Sequence, residues 1–109
     1  MSETVTKQAA DVRLIVLACE AGMGSSLMAA NQLKKMAKKA KLDVTVVHSA
    51  VHAIPDQADV ILAHAGLAKQ VKTKAPDAAI VAFQMFFNDP KFKAVIAKLQ
   101  AGEAITSEV

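Results

Sequence analysis

Four short, mainly apolar runs rich in β-branched residues recur along this 109-residue chain, at 12–18, 44–48, 59–64 and 79–83. Each has strand length and an apolar, β-branched-rich composition, so the runs read as strands. Helix-like stretches separate them. Between the first two runs, 25–41 carries Leu27, Met28, Ala30, Leu33, Met36 and Ala37 at helical spacing, with Lys34, Lys35, Lys38, Lys39 and Lys41 on the remaining face. A shorter helix over 67–74 stops before Pro76, and a last one over 90–101 has Pro90 at its first turn, where a missing N–H costs nothing. The stretch 51–58 contains Pro55 and reads as a loop or irregular turn. This order predicts an α/β fold: a small doubly wound, four-stranded parallel sheet with helices on both faces. One domain over 11–102 accounts for the pattern, with 1–10 and 103–109 as flexible termini.

In an open sheet of this kind ligands bind outside the carboxyl ends of the strands. The one cysteine of the chain, Cys19, stands at such an end, followed by Glu20, Ala21, Gly22, Met23, Gly24, Ser25 and Ser26 and then a helix. A strand entering a Gly-containing turn that opens a helix leaves backbone N–H groups converging, with the positive end of the helix dipole behind them. Such a nest holds an anion, and it favours the thiolate, which is the nucleophilic form of cysteine. Gly22 and Gly24 allow close backbone approach to a phosphate-sized group, and the hydroxyls of Ser25 and Ser26 can cap the helix or donate to the anion. A buried cysteine acting only as a small hydrophobe would need neither the glycines nor the serines.

Other phosphate-binding loops fit less well. A nucleotide-binding P-loop ends in Gly-Lys-Ser/Thr, whereas this chain has Gly24-Ser25-Ser26 and no lysine to neutralise nucleotide phosphates. A dinucleotide fingerprint needs a third glycine where Leu27 stands. Low-molecular-weight tyrosine phosphatases share a cysteine loop between strand and helix, but as a family they have an arginine six residues after the cysteine. Here that residue is Ser25.

The segment 18–28, Ala-Cys-Glu-Ala-Gly-Met-Gly-Ser-Ser-Leu-Met, resembles the active-site loop of the IIB component of the sugar phosphotransferase system (PTS), mannitol class. The resemblance extends over roughly residues 12 to 100, through the strand-like 44–48, Ser49-Ala50-Val51 and 59–64. Two positions depart from the family pattern: Glu20 stands where Asp is usual, and Ala65 where an arginine follows the histidine. The resemblance implies a sugar phosphotransferase in which Cys19 takes a phosphoryl group from a phosphohistidine of a IIA protein. The group then passes to a sugar, of the mannitol-like hexitol type, bound by a membrane IIC permease. Residues 20–26 would bind the phosphate, and no cofactor is implied. A IIB-like module that only signals its phosphorylation state and a small cysteine phosphatase remain as alternatives.

His48 and His64 close the second and third runs and are candidates for the rim of the site; the resemblance places a histidine at 64. A metal site built from them and Cys19 matches no zinc spacing, so no metal is expected. The helical lysines and a net charge of +3 do not make a nucleic-acid protein, because the chain has no Trp or Tyr and lysines opposite an apolar face are ordinarily solvated. They suit the steering of an acidic protein partner. The loop 84–88, Gln-Met-Phe-Phe-Asn, carries apolar bulk that would suit packing or protein docking. A single cysteine, a polar N-terminal stretch without a signal region, and no run of about 20 apolar residues together predict a cytoplasmic domain.

Overall fold

A computed structural model describes residues 5–19, 24–84 and 90–107, with the backbone alone at 19 and 24–26. Its strands are β1 (Thr6–Lys7), β2 (Leu14–Cys19), β3 (Thr45–Ala50), β4 (Val60–His64), β5 (Ala79–Phe83) and β6 (Ile105–Thr106). Its helices are α1 (Gly24–Lys39), α2 (Ala68–Lys74) and α3 (Pro90–Ala101). The four strands and three helices read from the sequence are all present, and 51–58 holds a single 3-10 turn at Val51–Ala53.

Strands β3, β2, β4 and β5 lie in that order in one parallel sheet. Alternation along β2 sorts the core into two layers. Ile15 and Leu17 pack with Ala29, Ala30, Leu33 and Ala37 of α1 and with Phe92, Val95, Ile96 and Leu99 of α3. Val16 and Ala18 pack on the other face with Ile54, Ala58 and, from α2, Ala68 and Val71. Residues 15–18 are fully buried, which explains their unbroken apolar run.

The amino ends of the central strands are tied by one carboxylate. Asp59 Oδ2 accepts the N–H groups of Arg13 at 2.9 Å and Leu14 at 3.0 Å, while the Asp59 N–H donates to the Leu14 carbonyl. This fixes the β2–β4 register from outside the ladder.

Part of each terminal stretch expected to be flexible is paired instead. Thr6 lies opposite Thr106 and Lys7 opposite Ile105 in an antiparallel ribbon. Burial of Ile105 against the α3 layer holds it there, and the buried Ser107 accepts the Ile80 N–H of edge strand β5 on its Oγ at 3.1 Å. An edge-strand donor is thereby satisfied within the chain.

Candidate functional site

Chain connections run from β2 through α1 to β3 on one side and from β4 through α2 to β5 on the other. The sheet order therefore reverses between β2 and β4, and the crevice outside their carboxyl ends is where this architecture binds ligands. Cys19 is the last residue of β2 and His64 the last of β4. Ala18 and Ala63 are register partners, so Cys19 and His64 are the next residues on adjacent strands, which run about 4.8 Å apart. Cys19 lies opposite Ala50 on its other side, and His64 opposite Phe83.

His64 is half-buried and its ring is held from two directions. Nδ1 accepts the Gly66 N–H at 3.3 Å, and the ring meets the Phe83 ring edge-on at 6.0 Å between centroids. Phe83 in turn packs on Phe92 of α3 at 5.2 Å. Ala65 is exposed in the turn that follows.

His48 is placed differently from the expectation. The second strand does not end there but runs on through Ser49 to Ala50, because these residues continue the ladder with Ala18 and Cys19. His48 sits exposed on edge strand β3 in register with Leu17, two residues short of the carboxyl rim. Glu20, Ala21, Gly22 and Met23 lie outside the described residues, as do 85–89 of the late apolar loop. Gly24, Ser25 and Ser26 form the first turn of α1, whose orphan N–H groups face the same carboxyl edge of the sheet.

Helical spacing assigns Leu27 and Met28 to the inner face of α1, yet they are 45% and 60% exposed. The buried stripe begins only at Ala29 and Ala30. Two large apolar side chains are thus presented to solvent one turn from the helix start, a feature that helical periodicity alone did not separate from the core.

Residues 14–98 match the family model described as the PTS system, Lactose/Cellobiose specific IIB subunit. The chain belongs to the PTS IIB family. The mannitol-specific EIICB component of Bacillus subtilis is 40% identical to it over 89 residues, an alignment covering 82% of this chain and 19% of that protein. That of Halalkalibacterium halodurans is 36% identical over 94 residues, covering 86% and 20%. The mannitol-specific EIICBA component of Buchnera aphidicola is 36% identical over 89 residues, covering 81% and 14%. The chain thus spans about a fifth or less of the length of these relatives. A solved structure of the lactose-specific IIB component domain from Streptococcus pneumoniae superposes with a TM-score of 0.55 at 19% identity, covering 84% of this chain and 89% of that one. At that identity it bears on the fold, which both chains share. No helix among the described residues of this IIB chain is long and apolar enough to cross a membrane.

Proposed function

We propose that this IIB chain is the phosphocysteine carrier of a mannitol-type sugar phosphotransferase system, acting in the cytoplasm beside a membrane IIC permease. The observation that carries the reading is the position of Cys19: the last residue of a central strand, at the switch point of the sheet, five residues before α1 begins at Gly24.

The Cys19 thiolate attacks the phosphorus of a phosphohistidine on a IIA protein. An S–P bond forms as the P–N bond breaks, and the imidazole nitrogen leaves with the electron pair and takes up a proton from solvent. Backbone N–H groups of residues 20–26 and the Ser25 and Ser26 hydroxyls hold the equatorial oxygens. A sugar hydroxyl held by IIC then attacks phosphorus, the S–P bond breaks, the hydroxyl proton is released and the thiolate is regenerated. A loop with no fixed cation suits a carrier, because it binds the phosphoryl group without driving its hydrolysis. The exposed Leu27 and Met28 would meet the IIA protein at the rim. Mannitol as the sugar is supported by the names of the relatives at 36–40% identity.

Incubation with the phosphorylated general components of the system and a mannitol-type IIA tests this reading, with the added phosphate located by mass spectrometry. The expected result is one phosphate on Cys19 that leaves when mannitol and its IIC permease are added, and none on a folded Cys19→Ala variant. Equal labelling of Cys19→Ala would overturn the mechanism.

A further inference from the structure

Away from Cys19, α1 and α3 lie side by side on one face of the sheet, and a shallow groove of about 390 Å³ opens between the carboxy-terminal end of α1 and residues 93–100 of α3. Met36, Ala40, Ile96 and Ala97 form its apolar floor, and Lys39, Lys93 and Gln100 its rim. Lys35 stands one turn before Lys39 on the same side of α1. Neither helix contains an Asp or Glu: α1 carries Lys34, Lys35, Lys38 and Lys39, and α3 carries Lys91, Lys93 and Lys98. Lysines in a last turn complement the helix dipole, which accounts for Lys38, Lys39 and Lys98 but not for Lys35 or Lys93. Lys39 lies about 22 Å along α1 from Gly24, so the groove is remote from the proposed phosphoryl site.

We propose that this groove docks an acidic amphipathic helix of a partner protein. Its apolar side chains rest on Met36, Ala40 and Ala97, and its carboxylates meet Lys35, Lys39 and Lys93. Charge complementarity identifies the occupant, and the apolar floor between two cationic rims is the form that a helix lying in a groove requires. A flat anionic bilayer would meet the lysines and leave the floor unfilled.

The test titrates the isotope-labelled full chain, followed by NMR, with a short synthetic Leu/Glu amphipathic helix, its Leu/Gln counterpart, and phosphatidylcholine vesicles with and without phosphatidylglycerol. The Glu peptide should shift resonances of residues 35–40 and 93–100, and bind roughly tenfold more tightly than the Gln peptide at low salt, an advantage that shrinks as salt screens it. Lys39→Glu/Lys93→Glu should weaken binding by about tenfold or more. Ala97→Arg, which adds positive charge but fills the floor, should weaken it as well, with Cys19 phosphorylation retained in both variants. Equal binding of the two peptides, no binding of either, undiminished affinity in Ala97→Arg, preference for the anionic vesicles, or loss of Cys19 phosphorylation would each overturn the proposal.

Discussion

His64 accepts a hydrogen bond on Nδ1 from the Gly66 N–H, two residues ahead of it, at 3.3 Å. A backbone N–H can only donate, so neutral His64 must carry its proton on Nε2. Edge-on contact with Phe83 fixes the plane of the ring. His64 is next in register to Cys19, and in the proposed transfer it would donate from Nε2 to a phosphoryl oxygen.

Long-range nitrogen-15 spectra should therefore show His64 as the Nε2–H tautomer. His64→Ala should slow phosphorylation of Cys19 by about fivefold, the worth of one hydrogen bond of about 1 kcal/mol, rather than abolish it. An unchanged rate would remove His64 from the mechanism.

Asp59 governs the opposite end of the same strands. Its carboxylate accepts two backbone N–H groups, from Arg13 and Leu14. Asp59→Ala leaves both without their acceptor and should cost about 1–3 kcal/mol in urea unfolding. Asp59→Asn keeps an acceptor oxygen and should cost less. Phosphorylation of the folded protein should be unaffected in both, because the substitution lies at the amino edge.

The two long helices end by the same motif with different residues. The Leu42 N–H donates to the Ala37 carbonyl and the Glu103 N–H to the Lys98 carbonyl, each closing a last turn past a residue with positive φ. In α3 that residue is Gly102 at 79°, and in α1 it is Lys41 at 60°. A side chain in this region is strained, so Lys41→Gly should stabilise the protein by about 0.5–1 kcal/mol and Gly102→Ala should destabilise it by a similar amount. Paired thermal melts would check both signs.

The strands and helices were legible because their signals are local. Runs such as 59–64 need only length and β-branching to be recognised, and Pro90 marks its own helix start. What escaped depends on partners distant in the chain. His48 looked like a strand end until Ala18 and Cys19 extended the ladder beside it to Ala50. Leu27 and Met28 match the helical period yet lie beyond the buried stripe, which only packing defines. Ser107 is separated from Ile80 by 27 residues, and nothing near either residue announces their hydrogen bond. Ser107→Ala should leave the buried Ile80 N–H without its acceptor, lower stability by about 1–3 kcal/mol, and speed amide exchange at Ile80.

The candidate site is legible only through residue types and their order, and its electrostatics can be tested on the thiol directly. No lysine or arginine occurs from residue 20 to 33, so backbone amides of 20–26 and the start of α1 at Gly24, with His64 next in register, are the groups placed to favour the Cys19 thiolate. The Glu20 carboxylate opposes them wherever it approaches the sulfur. The thiol pKa should therefore lie modestly below the free-cysteine value of about 8.5, and Glu20→Gln should lower it further. Iodoacetamide alkylation of both proteins as a function of pH measures the two values. A wild-type value at or above about 8.5 would mean that the unliganded loop does not activate Cys19, and that activation comes from the docked phosphoryl donor.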